Sequence, residues 1–162
     1  MRLFLSFIAL FGMALNISAL DIPEIFGNDM ILQRNTQCKI WGWAEANHYV
    51  RIVTGWDNHC YQVKAGSDGA WKVEVKTPEA SYNTYDITFT EYKSDPEKKA
   101  KGNQPIATSV SKDVLIGEVW FCSGQSNMEM PLGGFWNCPV EGANETILES
   151  KKYNSSIRVA TI

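Results

Sequence analysis

The sequence predicts a β-sandwich domain followed by the truncated start of an α/β domain, and three observations support this prediction. Residues 21–112 contain many short β-branched and aromatic stretches separated by turn-forming residues, which is typical of an antiparallel β-sandwich. Residues 114–122 form a nearly continuous apolar run, as expected of a strand covered on both faces in a parallel sheet. A helix-compatible stretch over residues 141–152 and a β-type stretch over residues 157–162 follow, and this order opens an α/β domain.

The first 20 residues have the organisation of a secretory signal peptide. Met1 and Arg2 precede an apolar run over residues 3–15, and small residues lie near Ala19. The run is shorter than the ~20 residues that a membrane-spanning helix needs. We therefore expect residues 1–20 to be removed during export, with no stable membrane insertion afterwards and a periplasmic or extracellular location.

The predicted sandwich domain contains a series of candidate strands and two candidate connections. The candidate strands are residues 38–44, 49–53, 58–64, 71–76, 85–90 and 106–110. Residues 71–76 alternate strictly between apolar and polar side chains after a Gly-Ser-Asp-Gly turn at residues 66–69. Residues 93–104 are polar and lysine-rich, which predicts an exposed loop.

Residues 113–162 are too few for a complete α/β domain. A parallel sheet of two strands cannot bury both of its faces, so this part predicts only the beginning of a larger domain. We therefore interpret the sequence as an N-terminal fragment or a truncated product.

Charge and cysteine content exclude several classes of function. The chain carries 15 Lys and Arg against 18 Asp and Glu, a net charge of −3, without the clustered basic face of a nucleic-acid-binding protein. The cysteines have no Cys-x-x-Cys spacing, so we expect neither a zinc site nor another cofactor. Export permits disulfides, but four cysteines allow three pairings and the spacing does not choose among them. These residues are Cys38, Cys60, Cys122 and Cys138.

Ser126 is the candidate nucleophile because it follows the predicted apolar strand directly. The carboxyl ends of parallel strands are where α/β proteins place reactive groups. Gly124 leaves room beside the serine hydroxyl, and a helix or turn that begins at Ser126 directs backbone amides outward. Met128 replaces the second glycine of the Gly-x-Ser-x-Gly elbow of α/β-hydrolases. On these residues alone, Ser126 as a simple turn cap is the competing interpretation.

A longer pattern resembles the sialate O-acetylesterase family, a group of SGNH (GDSL-type) serine esterases. Residues 117–131, GEVWFCSGQSNMEMP, are similar to the nucleophile block of that family. Residues 26–34 and 41–44 resemble its N-terminal signature, and residues 134–144 are similar to bacterial members. The resemblance covers essentially the whole chain after the predicted signal peptide.

The resemblance implies a β-sandwich over residues 21–112 and the start of an SGNH-hydrolase domain over residues 113–162. It implies an enzyme that removes O-acetyl groups from sialic acids through a serine acyl-enzyme. The amides around Gly124, Ser126 and Asn127 would then contribute to the oxyanion hole. The aspartate and histidine partners of the family are expected beyond Ile162, so no residue of this sequence is assigned to them.

The histidines of this sequence, His48 and His59, lie before Ser126 in the predicted sandwich, and we expect surface or core roles for both. A serine hydroxyl is a poor nucleophile without a base, so we expect the 162-residue chain itself to be inactive. Asp113 and Glu118 are expected to be structural or edge residues.

Gln125 and Trp136 are the candidate substrate-binding residues because both lie close to Ser126 in sequence. Three other tryptophans, at positions 41, 43 and 71, are expected to pack in the core. Two alternatives remain open: an esterase for other acetylated sugars such as acetylxylan, and a glycan-binding sandwich without catalysis.

Overall fold

The structure is a computed structural model that describes residues 20–98, 103–153 and 155–160, apart from the side chain of Asn127. The predicted signal peptide therefore lies outside the described residues except for its last position. Strands make up most of the described secondary structure. Among the described helices, none combines the length and the apolar character needed to cross a membrane.

Seven strands form the body of the molecule. They are β1 (Ile31–Gln33), β2 (Gln37–Trp43), β3 (Tyr49–Thr54), β4 (Cys60–Lys64), β5 (Ala70–Lys76), β6 (Ser81–Tyr92) and β7 (Pro105–Gly117). Five of them form a mixed sheet in the order β1-β7-β6-β3-β4, in which only the pairing of β1 with β7 is parallel. The remaining two, β2 and β5, form a separate antiparallel pair.

The two sheets share one hydrophobic core. Ile40 of β2 and Val75 of β5 are fully buried, and they belong to the same cluster as Ile52 and Phe89 of the five-stranded sheet. The Trp71 ring of β5 lies 6.1 Å from the Phe89 ring, measured between centroids. Alternation of side chains along each strand places these residues on one face, so burial of that face stabilises both sheets together.

The predicted turn before β5 is present. Gly69 has a positive φ of 81° and donates its backbone N–H to the carbonyl of Gly66 at 3.1 Å. A Cβ at position 69 would lie 2.5 Å from the carbonyl oxygen of Ala44. Glycine is therefore required both by backbone conformation and by space.

The apolar run over residues 114–122 is only partly a strand. Val114, Leu115 and Ile116 are buried as expected, but they end the long strand β7, which passes without a break through the predicted domain boundary at 112/113. The prediction of a covered strand is wrong for residues 118–122, where Trp120 and Phe121 are both 83% exposed. The reason is pairing, because the partners β1 and β6 extend along β7 only as far as Gly117.

The segment after β7 contains short elements. They are α1 (Ser126–Glu129), the hairpin of β8 (Gly134–Phe135) and β9 (Cys138–Pro139), α2 (Ala143–Ser150) and a 3-10 helix (Lys151–Tyr153). The helix predicted over residues 141–152 is confirmed. The strand predicted over residues 157–162 is wrong for 157–160, which have no strand structure, while 161–162 lie outside the described residues. The assignment of this segment to a second domain stays a prediction.

Three tryptophans were predicted to pack in the core, and the prediction is correct for one of them. Trp71 is 3% exposed, whereas Trp41 and Trp43 are 41% and 46% exposed. Their strand β2 directs Ile40 inwards, so residues 41 and 43 lie on the opposite face.

Candidate active site

Ser126 is the first residue of α1, as the sequence predicted. The preceding residue, Gln125, is the N-cap and has an extended backbone with φ of −103° and ψ of −154°. Its carbonyl accepts the backbone N–H of Met128 at 2.8 Å, which closes the first turn. The chain thus bends sharply at Gln125, and the Ser126 side chain is exposed to solvent.

Gly124 provides the room that the sequence suggested, and the structure shows what occupies it. A Cβ at this position would lie 2.5 Å from Cγ of Met128. The methionine side chain therefore folds back over the glycine and fills the space beside the turn. A larger residue at position 124 would require the Met128 side chain to move.

The two candidate substrate-binding residues are both exposed. Gln125 adjoins Ser126 in the chain, and Trp136 lies in the tight connection between β8 and β9 with 96% of its surface exposed. Among the described residues, no hydrogen bond or aromatic pair joins Trp136 to Gln125 or Ser126. The structure therefore presents Trp136 as a free aromatic surface and not as a wall of a formed pocket.

Both histidines lie in the connections on either side of β3 and contact residues of the five-stranded sheet. Nδ1 of His48 lies 2.7 Å from Oε1 of Glu91, a carboxylate that is 1% exposed and also accepts the backbone N–H of Glu45 at 3.1 Å. His59 packs edge-on against Tyr61 with 4.5 Å between the ring centroids. No hydrogen bond within the described part of the chain joins either histidine to Ser126.

The described residues also form a cleft that does not include Ser126. This cleft has a volume of about 440 Å³ and is lined by residues of the strands and of the segment 155–158, including Asp29, Asp113 and Arg158. A guanidinium N–H of Arg158 is donated to the carbonyl of Met30 at 3.0 Å, which connects the end of the described chain to the start of β1. Ser126 is not part of the cleft lining.

No family model matches the chain. Human sialate O-acetylesterase is 27% identical over 128 residues, which is 76% of this chain and 23% of the human protein. The rat sialate O-acetylesterase is 28% identical with 76% and 22% coverage. A crystal structure of a carbohydrate acetylesterase from Xanthomonas citri superposes with a TM-score of 0.56 and 28% identity, covering 70% of this chain and 23% of that one.

The chain is related to the sialate O-acetylesterase family. The resemblance stated on the motifs is thereby confirmed. The chain spans about 23% of the length of these relatives.

Two blocks that resemble the sialate O-acetylesterase family meet in one polar cluster, which the sequence did not predict. Nε of Arg34 lies 2.5 Å from Oε1 of Glu118, and Nε2 of Gln33 donates to Oε2 of Glu118 at 2.9 Å. Oε1 of Gln33 accepts the backbone N–H of Val119 at 2.8 Å. The hydrogen bond from Gln33, followed by that from Arg34, lowers the pKa of Glu118.

This cluster fixes the direction in which the chain leaves the sheet towards Ser126. The backbone N–H of Arg34 is donated to the carbonyl of Gly117 at 2.9 Å, so the cluster continues the ladder between β1 and β7 past its last paired residues. Glu118 was expected to be structural, and its contacts agree with that expectation. One sequence signal could have indicated this cluster: Gln33 and Arg34 lie in one block that resembles the family, and Glu118 lies in the other.

Cysteine pairing was left open by the sequence, and the structure has all four thiols unpaired. Cys38 is half-buried, while Cys60, Cys122 and Cys138 are exposed. Burial raises the pKa of the Cys38 thiol, with a hydrogen bond to Thr77 acting in the opposite direction. Across the described residues there is also no group of three or more potential metal ligands.

Proposed function

We propose that this chain is the nucleophile-bearing part of an exported carbohydrate O-acetylesterase that acts on O-acetylated sialic acids. The observation that supports the proposal is the position of Ser126, exposed at the first residue of a helix that begins where the family block places its serine. The relatives named above are sialate and carbohydrate acetylesterases, which supports the ester class of the substrate. We further propose that the two packed sheets are the β-sandwich domain of that enzyme.

In the proposed reaction, Oγ of Ser126 attacks the acetyl carbonyl carbon while a base removes its proton. The sugar oxygen leaves with a proton returned by that base, and the acetyl group remains as an ester on the serine. A water molecule then attacks this ester, releases acetate and restores the hydroxyl. The first N–H groups of a helix have no partner within the helix, so the amides of Ser126 and Asn127 are available to the oxyanion.

The base is proposed to come from a part of the enzyme outside this segment. His48 and His59 are engaged elsewhere, and the chain spans about 23% of the length of its relatives. The exposure of Val119, Trp120 and Phe121 is consistent with the same idea, since large adjoining apolar side chains are usually covered by protein. We accordingly expect negligible turnover from the 162-residue chain, because loss of triad function costs a factor on the order of 10⁶ in a well-characterised serine protease.

The proposed contacts with the sugar involve Gln125 and Trp136. Gln125 precedes the nucleophile directly, and its amide can donate to or accept from a sugar hydroxyl. Trp136 offers an exposed indole on a hairpin that follows α1 closely. In this proposal Gln125 supplies a polar contact and Trp136 an apolar contact to the sugar that carries the acetyl ester.

The test compares Ser126→Ala with the matched control Ser123→Ala in an active esterase that carries this segment. Both residues are exposed serines, so each variant loses one exposed hydroxyl and the two differ only in position. We expect acetate release from an O-acetylated sialic acid to be abolished by Ser126→Ala and changed much less by Ser123→Ala. A fluorophosphonate probe should label Ser126. Near-normal turnover by Ser126→Ala, or labelling of Ser123 instead, would show that the assignment is wrong.

A further inference from the structure

The outward face of the two-stranded sheet carries two adjacent tryptophans. Trp41 and Trp43 lie two residues apart on β2 and are 41% and 46% exposed, while Ile40 between the sheets is fully buried. Residues at this spacing on a strand point to the same side and are separated by about 7 Å along it. The indoles therefore form one aromatic surface on the side of β2 that faces away from Ile40.

The residues opposite on β5 give this face a positive charge. In antiparallel pairs, residues that face each other share one side of the sheet with Cβ atoms about 4.5–5.5 Å apart. Lys72 pairs with Trp41, and Lys76 pairs with Gln37. We call this surface the tryptophan face; its residues are Asp21, Gln37, Lys39, Trp41, Trp43, Ala70, Lys72, Glu74 and Lys76.

Asp21 pairs with Trp43 on the other side of β2 and so lies on the same face. Three lysines against two acidic residues give the tryptophan face a charge opposite in sign to that of the chain, which is −3 overall. Lys39 lies opposite Glu74, so these two charges balance. Lys72 and Lys76 have no acidic residue opposite them in the register of the pair. Lys72 lies directly opposite Trp41, whereas Lys76 lies at the other end of the strand pair.

The ring of Trp41 and the backbone of Trp43 are held in place without a ligand. The ring of Phe26 meets the ring of Trp41 edge-on, with 4.5 Å between centroids and an interplanar angle of 86°. The backbone of Trp43 exchanges two hydrogen bonds with Asp21, at 2.8 and 2.9 Å. A preorganised aromatic surface loses little conformational entropy on binding.

We propose that the tryptophan face binds an acidic saccharide independently of Ser126. The apolar face of a pyranose ring would stack on the indoles of Trp41 and Trp43, and the sugar carboxylate would pair with Lys72. A second copy of this chain is a poorer occupant, since a two-fold contact would bring the unbalanced lysines of both copies together. The site goes beyond the proposed esterase function and requires no turnover.

The test is an NMR titration of the isotope-labelled chain with sialyllactose, with lactose as the neutral probe. We expect the indole N–H signals of Trp41 and Trp43 to shift saturably with sialyllactose. Lactose should bind about two- to fivefold more weakly, which is the contribution of one exposed ion pair. Added salt should reduce this difference, because exposed charges are screened.

Variants separate the aromatic and ionic contributions. Trp41→Ala should weaken sialyllactose binding about tenfold, in the range of aromatic stacking contacts. Lys72→Glu should remove the preference over lactose. Lys64→Glu, at another exposed lysine, on β4, should leave the preference unchanged. Since Lys72 is exposed on a strand, its variant keeps the test valid if Trp41→Ala fails to fold.

Four outcomes would overturn the proposal. They are the absence of saturable shifts at the two indoles, equal affinity for both sugars, equal effects of the two lysine variants, and shifts of the same indoles with protein concentration alone. The last result would identify a self-association surface. Because acetate release is not measured, none of these outcomes bears on Ser126.

Discussion

Replacement of Phe89 by alanine tests whether the two sheets share one core. Phe89 lies on β6 of the five-stranded sheet, is fully buried, and faces Trp71 of the two-stranded sheet. Its removal takes apolar surface from the junction between the sheets and leaves a cavity that rigid strands on both sides cannot close. Buried Phe→Ala replacements cost about 3–5 kcal/mol for these two reasons.

Phe121→Ala is the matched control because it removes the same side chain from a site that is 83% exposed. We expect a change within about 0.5 kcal/mol there, as for other surface substitutions. A domain of this size has a free energy of unfolding of about 5–15 kcal/mol, so the Phe89 variant should lose a large share of it.

The measurement is urea unfolding followed by both circular dichroism and tryptophan fluorescence. With a slope of about 1–3 kcal/mol per molar urea, the midpoint of Phe89→Ala should fall by roughly 1 M or more. Coincident curves from the two probes would justify treating the transition as two-state. The reasoning fails if Phe89→Ala costs less than about 1 kcal/mol, or if Phe121→Ala costs as much.

Two further predictions concern titratable groups. The pKa of Glu118 is lowered from 4.5 by the hydrogen bond from Gln33 and by Arg34, so the stabilisation from this carboxylate is present above 4.5 and is lost as pH falls through the lower folded value. Carbon NMR should therefore show Glu118 titrating below 4.5 and returning towards that value in Arg34→Gln; an unchanged titration in the variant would contradict the contact. Burial raises the pKa of Cys38, so iodoacetamide at mildly alkaline pH should alkylate Cys38 more slowly than the exposed Cys60, and equal rates by mass spectrometry would argue against this environment.

Local patterns predicted much of the strand structure. Strict alternation over residues 71–76 and the glycine-containing turn before them correctly predicted β5 and the inward position of Trp71. The helix over residues 141–152 was likewise found through its composition. In these cases the signal depends on neighbouring residues, which a single sequence contains.

Features that depend on a distant partner could not be predicted in this way. The apolar run after Asp113 indicated a strand. The strand ends at Gly117 because its partners β1 and β6 end there, and the residues of the run do not reveal where those partners end. The same holds for Trp41 and Trp43, whose β-strand residue types do not reveal which face of β2 lies over the core. The contacts of Glu118 could not be predicted without knowing that the end of β1 lies beside it.

The position of Ser126 was predicted, whereas its surroundings were not. The start of α1 at this residue follows from local turn residues and the motif. Phe121 and Trp136, which lie close to Ser126 in sequence, are exposed, and no local pattern indicated this.

The parallel pairing of β1 with β7 has a consequence for the order of folding. Ile31 pairs with Leu115, so a ribosome must release more than eighty further residues before this edge of the sheet can close. Such distant contacts raise the loop-closure cost and slow folding relative to hairpins such as β3–β4. During synthesis, β1 would therefore remain unpaired until β7 emerges. The chain leading to Ser126 would become fixed only at this late step.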